Sequence, residues 1–88
     1  MLKSVLALVN SDSRTCGNHR VKEYSDNTRV FIYHSTVICT VNDNTRTFNT
    51  DNGGLATQST TRAINSYKQA FTEKGYTVDS DLPCGYRD

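Results

Sequence analysis

Apolar residues change their spacing along the chain, and each change marks an element. Leu2, Val5, Leu6 and Val9 fall at i, i+3, i+4 and i+7, the repeat of one helix face. Asn10-Ser11-Asp12-Ser13 stops that run. Between Arg20 and Thr50 the repeat shortens to that of a strand. Arg20-Val21-Lys22-Glu23-Tyr24 alternates, and Ser25-Asp26-Asn27 interrupts it. Arg29-Val30-Phe31-Ile32-Tyr33 follows, rich in β-branched and aromatic types. His34-Ser35 then turns the chain into Thr36-Val37-Ile38-Cys39-Thr40-Val41, and Asn42-Asp43-Asn44 turns it again into Thr45–Thr50. These segments predict an antiparallel meander of three to four strands.

Two-residue loops at His34-Ser35 and Asp43-Asn44 would set Ile32 opposite Val37, Val30 opposite Cys39, Cys39 opposite Phe48 and Val41 opposite Arg46. One face then gathers Val30, Ile32, Val37, Cys39, Val41 and Phe48. The other carries Arg29, Phe31, Tyr33, Ile38, Thr40, Thr47 and Asn49. A one-residue slip of either hairpin would mix the two sets, which favours this pairing.

Asp51-Asn52-Gly53-Gly54 breaks the strand pattern, and the clearest helical repeat of the chain follows. Thr57, Ser59 or Thr60 can cap its first amides. Ala63, Ile64, Tyr67, Ala70 and Phe71 form its apolar stripe, and Gly75 after Lys74 supplies a stop. This helix is expected to cover the apolar sheet face. Tyr76-Thr77-Val78 adds a short final strand, and Asp79 to Asp88 reads as irregular. The predicted fold is α+β: the meander, a C-terminal amphipathic helix and a short N-terminal helix, in a single domain over 1–88.

With 88 residues there is room for one modest core. A hydrophobic share of 35% with no Trp makes that core thin, while the many β-branched and aromatic residues argue against disorder. Ten Lys and Arg stand against nine Asp and Glu, so nucleic-acid binding would need a local basic patch. The run Val5–Val9 falls far short of the roughly 20 residues that span a bilayer, so no membrane role is expected. The segment from Met1 to Val9 is mildly like a signal peptide, but its apolar part is short, no cleavage site follows and Asp12 comes soon after. An odd set of cysteines, Cys16, Cys39 and Cys84, does not fit a disulfide framework and suits a reducing compartment.

Three constellations bear on chemistry. Cys16-Gly17-Asn18-His19 has a C-x-x-H spacing that Cys84 or His34 could complete, yet structural zinc sites pair two such motifs. The expectation is a polar loop and no metal. Cys16 or Cys84 with His19 or His34 could form a nucleophilic pair, but no glycine elbow or phosphate loop supports one, and the aspartates sit in turn contexts. Neither an enzyme nor a cofactor is expected. Arg29, Phe31 and Tyr33 share a strand, and on an open sheet face they would stack bases and neutralise phosphates. The competing reading packs the N-terminal helix over the same face. Burial there against a second copy of the chain would instead make a homodimer.

The stretch from Gly17 to Asn65, roughly half the chain, carries three further motifs. They are Gly17-Asn18 near the first strand, Tyr33-His34-Ser35-Thr36-Val37-Ile38, and Gly54-Leu55-Ala56-Thr57-Gln58-Ser59-Thr60-Thr61-Arg62-Ala63-Ile64-Asn65 at the helix entry. In these it resembles a group of small uncharacterised bacteriophage proteins, whose third motif reads Gly-Trp-x-Thr-x-Thr-Thr-x-x-Arg-hydrophobic-Asn. Leu55, Ser59 and Ala63 stand where that pattern has Trp, Thr and Arg. The resemblance implies a phage origin and brings no activity. The expected role is therefore a phage-encoded, non-enzymatic accessory or regulatory protein that binds a host or phage protein in the host cytoplasm. The alternative is a single-stranded nucleic-acid-binding module using Arg29, Phe31 and Tyr33.

Overall fold

The computed structural model describes residues 2–88; Met1 of the apolar N-terminal segment lies outside them. Helix α1 (Lys3–Leu8) leads into β1 (Arg14–Cys16), β2 (His19–Ser25), β3 (Thr28–Tyr33), β4 (Thr36–Asn42) and β5 (Thr47–Thr50). Helix α2 (Gln58–Glu73) then crosses the sheet and delivers β6 (Thr77–Val78). The six strands lie side by side in chain order. All neighbours are antiparallel except β5 and β6, which the α2 crossover makes parallel. The α+β class and the C-terminal helix agree with the sequence pattern, while the strand count is higher than predicted. The added strand is β1, a three-residue piece joined to β2 through Gly17, whose φ of +62° suits the first central position of a tight hairpin turn.

Local chemistry sets the ends of α2. The Thr57 hydroxyl accepts the Thr60 amide at 3.2 Å, the N-cap that the Thr cluster predicted. At the other end the Gly75 amide donates to Thr72 O and the Tyr76 amide to Phe71 O. Gly75 takes φ +88°, and the Tyr76 ring packs 5.2 Å from that of Phe71. This is a Schellman closure with its hydrophobic contact.

The register departs from expectation in two places. Ile32 faces Val37 as predicted, but Ile38 then bulges out, so that Phe31 pairs with Cys39 and Val30 with Thr40. One extra residue exchanges the faces of everything before it on β3. Further on, the Asn42 side chain accepts the amides of Asn44 and Thr45, and Arg46 takes φ +57°. The turn lengthens, and Val41 meets Phe48 where Arg46 was expected. A shift of two preserves the faces, so Val41 and Phe48 stay together.

Helix α2 therefore covers a face different from the predicted one and shares it with α1, which packs over Phe31, Tyr33 and Ile38 as the reading with the N-terminal helix on that face had it. Val21, Phe31, Tyr33, Cys39, Val41 and Phe48 pack under α2 residues Ala63, Tyr67, Ala70 and Phe71 and under α1 residues Val5, Leu8 and Val9. Within α1 the buried stripe includes Leu8, and Leu6, expected inside, is 51% exposed. Val30, Ile32 and Val37, expected under α2, lie on the opposite face against Cys84 and Tyr86.

The irregular segment from Asp79 onward covers that second face. Val37 N donates to Tyr86 O, Gly85 N to Val37 O and Asp88 N to Ser35 O. Thr40 Oγ1 donates to Pro83 O at 2.6 Å. A Cβ on Gly85 would stand 2.7 Å from Asp51 Cγ, and one on Gly53 would stand 2.6 Å from Thr36 Cγ2. Both glycines thus permit backbone to approach where no side chain fits.

Candidate functional site

The nucleic-acid reading needed Arg29, Phe31 and Tyr33 on an open sheet face, and the structure instead buries all three, Phe31 and Tyr33 beneath the two helices as the competing reading had it. Phe31 is fully buried, with its ring 4.9 Å from Tyr67 and 5.6 Å from Phe71. Arg29, only 6% exposed, holds Asp43 in a two-point pair, Nε to Oδ2 at 2.7 Å and Nη2 to Oδ1 at 2.8 Å. Its Nη1 donates to Val9 O and Ser11 O, and its guanidinium lies over the rings of Phe31 and Phe71. Tyr76 donates a further hydrogen bond to Asp43 Oδ1 at 2.7 Å. Burial would raise the Asp43 carboxyl, but the hydrogen bonds from Arg29 and Tyr76 outweigh it and hold the group below its ordinary range. Arg29 thereby ties the end of α1, β3 and the β4–β5 turn together. Its role is structural.

Tyr33, 8% exposed, belongs to the opposite end of the sheet. The register sets Cys16, His19, Tyr33 and Thr36 in a row across β1 to β4. The His19 ring stacks on Tyr33 at 4.6 Å, and His34 meets Tyr33 edge-on at 4.2 Å. The Tyr33 hydroxyl donates to Ser59 Oγ in the first turn of α2 at 3.2 Å. His19 is 8% exposed and its Nδ1 has no hydrogen-bond partner among the described residues. Burial, and then the neighbouring His34, lower its pKa from the ordinary 6.5.

The turn at His34-Ser35 is strained. Both residues take positive φ, +49° and +71°, a conformation that a two-residue hairpin loop ordinarily fills with Asn and Gly. The turn stands between two clefts. One, of about 310 Å³, is lined by Tyr33, His34, Leu55, Thr57, Ser59 and Arg87, among others. The second, of about 230 Å³, lies between this turn and the β1–β2 turn and is lined by Thr15, Asn18, Arg20, His34 and Ser35, among others. The His34 amide reaches Asn18 O at 3.4 Å. Below the turn, Asp88 accepts from both Arg20 and Lys22 at 2.5 Å.

This end therefore offers two exposed hydroxyl-rich hollows with a guanidinium and an imidazole at the rim. A guanidinium can donate to backbone carbonyls and carboxylates, and a neutral imidazole can both donate and accept. His34 was read from sequence as a turn residue, while Leu55 and Arg87 carried no signal of their own, because their neighbours in space are distant in the chain. Gly17-Asn18, Tyr33–Thr36 and part of the Leu55–Thr60 segment, far apart in the chain, meet at this end.

The C-x-x-H pair is not completed. Cys84 lies across the sheet, its thiol toward Val37 O at 3.4 Å, and among the described residues no three His, Cys, Asp or Glu come together to hold a metal ion. No helix of the described residues is long and apolar enough to cross a membrane. Comparisons with family models, with curated proteins and with solved structures found no match to this chain.

Proposed function

We propose that the protein acts without catalysis, by binding another protein through the end of the sheet that holds the His34-Ser35 turn. The carrying observation is convergence. Three segments far apart in sequence meet at a strained, exposed turn flanked by two hollows, and that turn is joined to its surroundings through Asn18 and Ser59. Strain of this kind persists where surrounding structure enforces it, and binding surfaces are common among such places. The resemblance to small phage proteins, whose motifs include these three segments, supports a host or phage protein as the partner and the host cytoplasm as the setting. The nucleic-acid alternative loses its residues, since Arg29, Phe31 and Tyr33 are all buried.

The test is affinity capture from phage-infected host cells with tagged wild-type protein, a His34→Asn/Arg87→Ala variant and a Lys68→Ala control on exposed α2. Asn tolerates the left-handed backbone at position 34, so the double variant keeps its fold. The expected result is one protein retained by wild type and by the control and lost from the double variant. Equal retention by all three would remove this end from the interface. Recovery of nucleic acid in place of protein would overturn the reading altogether.

A further inference from the structure

Both helices pack on one face of the sheet, and the other face is closed by the end of the chain. Val30, Ile32 and Val37 are at most 3% exposed there, and the hydrophobic side chains packed on them are Cys84 and Tyr86. Cys84, Tyr86 and Asp88, at i, i+2 and i+4, all reach the sheet, which is the alternation of an extended strand. The Cys84 thiol points to Val37 O and Asn49 O, the Tyr86 ring covers the aliphatic cluster, and the Asp88 carboxylate accepts from Arg20 and Lys22 on β2. Thr36 faces Arg87 in an antiparallel bridge, flanked by backbone bonds from Val37 to Tyr86 and from Asp88 to Ser35. The tail thus pairs with the part of β4 that β5, which begins its pairing at Cys39, leaves open.

Its grip is light. Cys84 and Tyr86 are only half-buried, and the Tyr86 hydroxyl is enclosed without a partner among the described residues, a cost that the bound tail carries. The side chains that clasp Asp88 are 49% and 41% exposed, and ion pairs between exposed groups contribute little and weaken as salt is added. The connection from β6 runs through the exposed Ser80, Asp81 and Pro83. With the tail lifted, the start of β4 presents unpaired amide and carbonyl groups beside three bare aliphatic side chains. Another extended strand completes such an edge.

We propose that residues 83–88 are a releasable strap over a peptide-binding seat, and that an extended segment of a partner protein takes their place. The strap itself gives the chemistry of that ligand. Its first anchor is a small apolar side chain in the space of Cys84 above Val37. Two residues on, an aromatic ring covers Val30, Ile32 and Val37 as Tyr86 does. Two further on, a carboxylate meets Arg20 and Lys22 as Asp88 does. Between the anchors the ligand backbone pairs antiparallel with Thr36 and Val37. Because the strap is tethered, a free ligand competes with an effective concentration on the order of millimolar. This inference does not rest on the reading of the His34-Ser35 turn, and its test uses only the purified chain and a synthetic peptide, so either can fail alone.

The test begins with hydrogen exchange on the full wild-type chain. The Val37 and Gly85 amides, which make backbone bonds between β4 and the strap, should be at least about tenfold less protected than the β3–β4 ladder, and salt at about 0.5 M should lower their protection further. Equal protection would mean that the strap lifts only when the whole chain unfolds, and the proposal would be lost. A labelled peptide of residues 79–88 is then added, under reducing conditions, to the Asp88→Ala chain, whose strap has no latch. Saturable binding is expected, at least about tenfold weaker when the peptide carries Tyr86→Ala and Asp88→Ala. No binding, or binding indifferent to those two changes, would overturn the seat. Dimerisation of the wild-type chain that the peptide reverses would overturn it in favour of straps exchanged between copies.

Discussion

At the end of the sheet where β3 begins, Arg29 brings a positive charge into the core and every group around it is answered. Asp43 takes two of its donors, Val9 O and Ser11 O take another, and Tyr76 completes the carboxylate. At the end where β3 finishes, His19 is almost as buried, and one of its ring nitrogens has no partner among the described residues. The neighbouring turn there stands in the left-handed region with neither glycine nor asparagine. A buried polar group that is satisfied rigidifies, whereas one left open costs stability and persists where something else uses it. The contrast marks the first end as a satisfied stabilising network and agrees with the recognition role proposed for the second.

The sharpest way to break that contrast is at Arg29. Arg29→Ala leaves the partly exposed Asp43 and two backbone carbonyls without their donor; loss of one partner costs about 3–5 kcal/mol in a fully buried pair, and about 2–3 kcal/mol is expected here. Denaturant unfolding should show that loss, and a change within about 0.5 kcal/mol would mean the network does not hold the fold. A smaller effect of opposite sign is expected at the other end. Ser35→Gly relieves a side chain held at φ +71° and should stabilise by about 1 kcal/mol, with a higher melting temperature. Partner capture should weaken if the strained turn is what the partner reads. Smallest is a pH effect. Because the folded pKa of His19 lies below its ordinary 6.5, the unfolded chain binds the proton first, so stability is full at neutral pH and declines as pH falls below that value. Melting temperatures from pH 7 to pH 5 should drop more for wild type than for His19→Gln; equal slopes would mean the imidazole is not held neutral.

Legibility in the sequence followed how local each determinant is. Helix α2 was readable because Thr57, the apolar stripe and Gly75 all act within a turn of where they stand. The strands were readable from their alternation, but the choice of buried face was not. Val30, Ile32 and Val37 make one apolar set, Phe31, Tyr33 and Ile38 another, and a pattern apolar on both sides leaves parity to a single bulge. Arg29 alternates like a solvent-facing residue, and nothing near it in the chain announces Asp43. The convergence of Asn18, His34, Leu55 and Arg87 is likewise a product of topology. The segment after Asp79 has no periodicity, and its seat depends on two glycines that let backbones meet.

That seat has a kinetic consequence. Strand β4 is paired on its outer side by β5 along one half, from Cys39 to Asn42, and by residues 85–88 near its beginning. Completion of the central strand must therefore wait for chain made some fifty positions later. The hairpins of the meander can form early because they join neighbours in the chain, but this distant pairing comes last, and a partly synthesised chain exposes apolar side chains of Val30, Ile32 and Val37 in the meantime. During its synthesis the protein would be a natural client for whatever chaperones attend the ribosome.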